Sequence, residues 1–245
     1  MCSSMLTSDE LDRYFNRGLR FSEEIRRCHP SIWSAAGAAL AKAGEVMHMV
    51  HDNSSERTEE FLNLLGLWGA VRRYQISSIL EIFSRNLDEG LALLRMATEV
   101  TRVLKAVSTN PAVWAIWVKG DERKSAEFKQ AAKFDLTDPV QKAVFAAYNF
   151  CTDYGTHGHK TSALYLVETP MGREPSIAGV ASIAKSWFAH CVAMHRLSLK
   201  CLVDDSSDLF IACEVGLTVA EARLLGRIQN DEFFRITDID CASQA

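Results

Sequence analysis

The sequence predicts an all-α protein, a multi-helix bundle in a single domain, and three observations support this. Apolar residues recur at spacings of three and four through nearly every segment, which is the periodicity of amphipathic helices. Alternating strand-like runs are almost absent, and prolines and polar turn residues divide the chain into helix-sized segments. With 48% hydrophobic residues in 245, the chain can bury a sizeable core without disulfides or metals.

The first half of the chain reads as four helices. The first begins near Ser8, a capping residue, and ends at Cys28 before His29 and Pro30. Polar turns and Asn110-Pro111 separate the next three, which are predicted over 31–52, 56–85 and 87–108. The fourth carries an apolar stripe that includes Leu93 and Met96.

The second half contains shorter helices and one interruption. Helices are predicted over 112–118, 121–133, 138–153 and about 177–202. The segment 155–175 is rich in glycine and histidine and predicts a loop or β-hairpin excursion near 160–175. After residues 204–207 two shorter helices are expected, because Thr218 and Glu221 form a capping-box pattern. Without repeats or linkers, one helical domain is expected over 1–236, with a flexible tail over 237–245.

Charge and cysteine usage limit the partners and the cellular compartment that the sequence predicts. The formal charge of −4 and the scattered basic residues give no stripe that would neutralise several phosphates, and the stretch 217–225 lacks the basic second helix of a DNA-binding motif. Seven scattered cysteines without a Cys-x-x-Cys pair indicate a reduced, cytoplasmic protein. The apolar stretch 177–194 is interrupted by Lys185 and His190, so we expect a buried helix rather than a membrane span.

Arg95, Glu99 and Arg102 form the first candidate site, because their spacing places them on one face of the fourth helix. One interpretation is a solvated ladder of ion pairs. The other is a face turned toward the bundle interior, where an arginine fork holds Glu99 as a fixed carboxylate.

The second candidate lies around Asp153, His157 and His159, where a helix end is followed by glycines. An imidazole here could act as acid, base or ligand, and Asp153 could orient His157. The alternative is that His157 caps the preceding helix and His159 is solvated.

The remaining histidines favour structural roles. Glu45, His48 and Asp52 share a helical face and match half of a di-iron carboxylate pattern, but no second Glu-x-x-His exists, so neither a metal nor another cofactor is predicted. His190 and His195 lie on an aromatic-rich helix and are expected to be satisfied core residues.

Two stretches, Leu94-Arg-Met-Ala-Thr-Glu99 and Tyr148 through His157, carry a resemblance. Together they resemble an uncharacterised, mostly bacterial all-helical family with an Arg-x-x-x-Glu helix and a downstream His, loosely similar to HEPN domains. The resemblance implies a helical bundle with a polar groove, a homodimer, and functional roles for Arg95, Glu99 and His157. HEPN ribonucleases carry an arginine four to six residues before their histidine, and this chain has none there.

The leading hypothesis is therefore a helical binding or regulatory protein of HEPN-like type, dimeric, with an unidentified ligand. The alternative is a metal-independent RNA-cleaving enzyme that uses His157 with Arg95 or Arg102, which leaves RNA open as a partner. A weaker alternative is a metal-bound helical enzyme centred on Glu45 and His48. Neither DNA nor a membrane is expected as a partner.

Overall fold

The computed structural model describes residues 8–54, 57–153, 166–169 and 172–235. Within these ranges the helices are α1 (Ser8–Cys28), α2 (Pro30–Asn53), α3 (Glu59–Phe83), α4 (Leu87–Ser108), α5 (Pro111–Val118), α6 (Ala126–Ala131), α7 (Pro139–Cys151), α8 (Ile177–Leu202) and α9 (Asp208–Asn230). A short 3₁₀ turn, Glu232–Arg235, follows α9. The predicted all-α bundle is confirmed, while the tail expected over 237–245 lies outside the described residues.

The predicted excursion between α7 and α8 contains a small hairpin. Strands β1 (Leu166–Thr169) and β2 (Gly172–Pro175) pair antiparallel, with Leu166 opposite Pro175 and Thr169 opposite Gly172. It is the one β-pairing within the described ranges.

Side-chain caps explain where several helices begin. A short polar residue accepts hydrogen bonds from the first backbone N–H groups, which have no partner within the helix. Such caps are Thr58 for α3, Asn110 for α5, Ser125 for α6, Asp138 for α7, Ser176 for α8 and Ser207 for α9. Proline at the first position of α2, α5 and α7 further favours these starts, because its fixed φ suits a helix and its missing N–H is not needed there.

Helix α8 is the central element of the core. It packs against α3, α4, α7 and α9, and Trp187, Phe188 and Met194 are almost fully buried along it. Among the described helices, α8 alone is long and apolar enough to cross a membrane, but 61% of its most apolar window is buried by the surrounding helices. The apolar character of α8 is thus that of a core helix.

Helices α3 and α4 approach unusually closely at Gly90. A β-carbon at this position would lie 2.6 Å from Ile82 Cγ1 and 3.1 Å from the carbonyl oxygen of Ser78. The Ser78 hydroxyl donates a hydrogen bond of 2.7 Å to the Gly90 carbonyl. Glycine is required here because any side chain would push the two backbones apart.

The structure has one long helix, α9, where the sequence predicted two shorter helices. It runs without a break from Asp208 to Asn230, so Thr218 lies in its interior and caps nothing. Thr218 and Glu221 instead bind Arg196 of α8, at 3.0 Å and 2.7 Å. A local pattern typical of a helix start is here used for a tertiary contact.

Two smaller expectations were also wrong. Met96, placed in the apolar stripe of α4, is exposed, and the buried face passes instead through Leu94, Thr98 and Thr101. Buried hydroxyls on this face bond backbone carbonyls of α4 itself, which lets threonine occupy an apolar position. Helix α6 begins only after its Ser125 cap, later than predicted.

Candidate functional site

The charged face of α4 is half-buried. Glu99 forms an ion pair with Arg102, with 2.6 Å between Glu99 Oε2 and Arg102 Nη2. The Glu99 side chain is 24% exposed and the Arg102 side chain is 41% exposed. The guanidinium carbon of Arg95 lies 5.6 Å from the centre of the Tyr148 ring on α7. The Glu99 carboxylate thus pairs with Arg102, about one turn further along α4, while the Arg95 side chain contacts α7.

Arg95 of the first predicted cluster lies near the end of α7. Cys151 is buried, which raises the pKa of its thiol to about 12, although the positive charge of Arg95 acts in the opposite direction. Asp153 is exposed just beyond the helix. His157 and His159 lie outside the described residues. The structure therefore places Arg95 beside the helix end that precedes them in sequence.

The acidic and histidine side chains of α2 have neighbours on their own helix. Glu45 forms an ion pair with Lys42, and His51 Nδ1 lies 2.9 Å from Asp52 Oδ1, which lowers the Asp52 pKa. Across the described ranges, no group of three or more His, Cys, Asp or Glu side chains is arranged to hold a metal ion. Nothing in the geometry of Glu45, His48 and Asp52 favours the half di-iron pattern.

A buried hydrogen bond between α3 and α8 places His195 in the core, as predicted, but only one of its two ring nitrogens is satisfied. Trp68 Nε1 donates to His195 Nδ1 at 2.8 Å, and His195 is 1% exposed. Because Nδ1 accepts, the neutral ring carries its proton on Nε2, which has no partner in the described structure. Burial, assisted by the charge of Arg72, lowers the His195 pKa to about 3. This imidazole is neutral at physiological pH and serves as a structural acceptor.

Gln75 makes a second buried connection between the same helices. Its side-chain amide donates to the Cys191 carbonyl at 3.0 Å, and its backbone carbonyl accepts from Trp187 Nε1 at 3.3 Å. The Gln75 side chain is fully buried, so its bond to the Cys191 carbonyl offsets part of its desolvation. Sequence reasoning missed Gln75, because only its partners more than a hundred positions away distinguish it from a surface glutamine.

Arg196 joins α8 to α9. Its guanidinium forms ion pairs with Glu214 and, at 2.7 Å, with Glu221. Burial alone would lower the Arg196 pKa, but the hydrogen bonds and charges of the two glutamates raise it above its usual value. A planar fork between two carboxylates fixes how the helices pack against each other.

A groove of about 510 Å³ runs between α2 and α9. It is lined by small side chains and by three basic residues, Lys42, Arg223 and Arg227. Lys42 pairs with Glu45, whereas Arg223 and Arg227 form no ion pair with any described residue.

The outer face of α9, formed by Ile211, Val215 and Val219, is apolar and exposed. These side chains are 55%, 59% and 44% exposed, and they follow one another at intervals of four residues, so they form a continuous ridge. The opposite side of α9 is buried through Cys213 and Leu217. Helix α9 thus has two apolar sides, one buried in the core and one, the ridge, that the described fold leaves uncovered.

Together these features define an all-α bundle with buried polar connections and an exposed apolar and cationic surface along α9. No protein-family model matches the chain, and no curated protein or solved structure matches it either.

Proposed function

We propose that this chain is a helical binding or regulatory protein of HEPN-like type that works in the cytoplasm as a homodimer. The observation that carries the proposal is the outer face of α9. Three aliphatic side chains aligned along one helix favour association, because covering them removes apolar surface from water.

The charges at the two ends of α9 indicate which partner covers this face. Asp205 and Asp208 are exposed at its N-terminal end, and Arg223 and Arg227 are exposed near its C-terminal end. None of the four forms an ion pair with another described residue. A surface that is acidic at one end, apolar in the middle and basic at the other is complementary to an antiparallel copy of itself.

A two-fold axis near the middle of α9 covers the apolar ridge and brings the acidic end of one copy to the basic end of the other. Val215 of one protomer then packs on Val219 of the partner subunit, as in an isologous interface. Asp208 then lies within one helical turn of Arg223 of the partner subunit and of Arg227 of the partner subunit. Val219 of the ridge also lines the α2–α9 groove, whose other lining includes many small side chains.

Sedimentation velocity over a range of protein concentrations tests the proposal. We expect the full chain to sediment as a dimer and Val215→Asp as a folded monomer, since a buried unpaired carboxylate is strongly unfavourable. Leu62→Asp is the matched control, because Leu62 is a similarly exposed aliphatic residue on α3. A monomeric wild-type chain, or equal dissociation by both variants, would overturn the proposal.

Charge reversal tests the orientation of the two copies. Asp208→Arg should weaken the dimer by repulsion from Arg223 and Arg227 of the partner subunit. The triple variant Asp208→Arg, Arg223→Asp and Arg227→Asp should restore it, because the complementarity is inverted at both ends. Failure of the triple variant to recover would refute the antiparallel arrangement.

A second candidate function is metal-independent cleavage of RNA by His157. The observation that favours it is the position of Arg95 beside Tyr148 and Cys151, near the end of the helix that precedes His157 in sequence. An arginine at such a place could hold a phosphodiester for proton transfer by the histidine. Mixed RNA is incubated with the wild-type chain, His157→Ala and Arg95→Gln. Cleavage by the wild-type chain alone supports this function, and intact RNA in all three samples excludes it.

A further inference from the structure

A pocket between α2 and α3, distinct from the α2–α9 groove, has a volume of about 300 Å³. This lies at the lower end of the range of about 300–1,000 Å³ that small-molecule sites occupy. Met47 and Leu65 supply apolar surface, His48 and His51 supply imidazoles, and Arg72 supplies a positive charge.

Arg72 is held in a fixed position in this pocket. Its Nε donates a hydrogen bond of 2.9 Å to the Leu40 carbonyl of α2. A β-carbon on Gly44 would lie 3.2 Å from Cζ, Nε and Nη2 of Arg72, so the guanidinium rests against the backbone of α2 where that helix has no side chain. An arginine anchored at Nε keeps its terminal nitrogens in a defined plane, which is the geometry needed for a bidentate acceptor.

The charge of Arg72 lacks an acidic counterpart within the described parts of the chain. Its hydrogen-bond partner is a neutral carbonyl, although the residue is only partly exposed. Arg73, the next residue on the same helix, is exposed by comparison. A partly buried cation without a carboxylate is stabilised when an anion binds beside it.

The neighbouring core adds a second observation. The positive charge of Arg72 acts on His195, and the buried Nε2–H of His195 has no hydrogen-bond partner. The buried donor of His195 is thus not satisfied by the described chain, although His195 does not itself line the pocket. Unsatisfied donors of this kind are uncommon in native cores and call for an explanation.

We propose that the α2–α3 pocket binds a small molecule that carries an oxyanion, a carboxylate or a phosphate, held by the Arg72 guanidinium. The apolar body of the ligand contacts Met47 and Leu65, while His48 and His51 line the pocket beside it. The site goes beyond self-association through α9 and uses different residues, so either proposal stands if the other fails.

Isothermal titration calorimetry on the full chain tests the site with three probes: inorganic phosphate, phenyl phosphate and benzoate. We expect saturable binding at one site per chain, tightest for a probe with an aromatic body. Comparison of phenyl phosphate with benzoate shows which oxyanion the site prefers. Absence of saturable binding by all three probes would overturn the proposal.

Arg72→Gln should weaken binding by at least about tenfold, since hydrogen bonds to a charged group contribute about 1.5–3 kcal/mol and a tenfold change is about 1.4 kcal/mol. Arg73→Gln changes the net charge equally on the same helix and should bind like the wild-type chain. Equal loss in both variants would show attraction to overall charge only and would refute the site.

Gly44→Ala tests the anchoring of Arg72 without changing any charge. The added methyl group must displace the guanidinium, so binding should weaken severalfold while the helix itself is not destabilised. Gly37→Ala is the control, because a β-carbon there meets nothing within 4 Å. If Gly44→Ala binds as tightly as Gly37→Ala, the geometry assigned to Arg72 is wrong. Far-UV circular dichroism verifies that each variant is folded, and sedimentation velocity keeps a loss of ligand distinct from a loss of dimer.

Discussion

His195→Gln should reduce the loss of stability that the protein undergoes in mild acid. The His195 pKa is lowered to about 3 in the folded protein, mainly by burial, against an ordinary value of 6.5. The unfolded chain therefore binds a proton below pH 6.5 that the folded chain cannot bind. The contribution of His195 to the free energy of unfolding is therefore fully present above pH 6.5 and is lost progressively as the pH falls toward 3.

The magnitude follows from the difference between the two pKa values. Each pH unit below 6.5 costs up to about 1.4 kcal/mol for one proton, so the free energy of unfolding at pH 5 falls by about 2 kcal/mol through His195 alone. Glutamine cannot titrate, yet its side-chain oxygen can accept the hydrogen bond from Trp68 Nε1. The variant should thus lose about 2 kcal/mol less than the wild-type chain between pH 7.5 and pH 5.

Urea denaturation at both pH values measures this difference, whatever the variant loses in packing at neutral pH. His48→Gln is the control, since it replaces an exposed histidine of α2 instead of the buried one. If His195→Gln and the wild-type chain lose the same free energy on acidification, His195 is not the buried neutral imidazole described above.

Two further substitutions test the packing of the helices. Gly90→Ala should destabilise the fold by about 1–3 kcal/mol, because the added methyl group overlaps Ile82, whereas Gly66→Ala on α3 meets nothing within 4 Å and should be neutral or stabilising by up to about 1 kcal/mol. Equal urea midpoints for these two variants would contradict the close approach of α3 and α4. Arg196→Met should cost about 2 kcal/mol in urea denaturation by leaving Glu214 and Glu221 without their partner, and an unchanged midpoint would show that the ion pairs add nothing.

Helix boundaries could be predicted where the signals are local. Pro30 and the turn before Pro111 stop one helix and start the next within a few residues, and α1 and α4 were accordingly predicted with the observed ends. The break expected at Thr218 was wrong because its side chain bonds Arg196, 22 positions earlier. A capping pattern and a tertiary contact use the same residue types, and the local sequence does not distinguish them.

The candidate sites could be predicted only in part for a similar reason. The spacing of Arg95, Glu99 and Arg102 predicts that they share one face of α4, but the pairing of Glu99 with Arg102 and the approach of Arg95 to Tyr148 depend on how α4 packs. Arg72 was not recognised at all. It matters because Gly44, on another helix, leaves room for its guanidinium, and no pattern within either helix reports that proximity.

The order in which the chain assembles follows from the sequence separation of two contacts. Ser78 and Gly90 are only 12 positions apart, so the α3–α4 pair closes a short loop and can form early. Helix α9 reaches α2 across most of the chain, and Ser31 of α2 binds Asp231, 200 positions later. Pulse-labelled hydrogen exchange during refolding should accordingly protect α3 and α4 before α9.

During synthesis, α2 must therefore wait for α9 before the groove between them exists. In the proposed dimer the α9 ridge forms the interface, so a chain on which α9 has not yet been synthesised cannot present that ridge to a second copy. The proposed pairing of two copies accordingly follows the synthesis of α9 in each protomer.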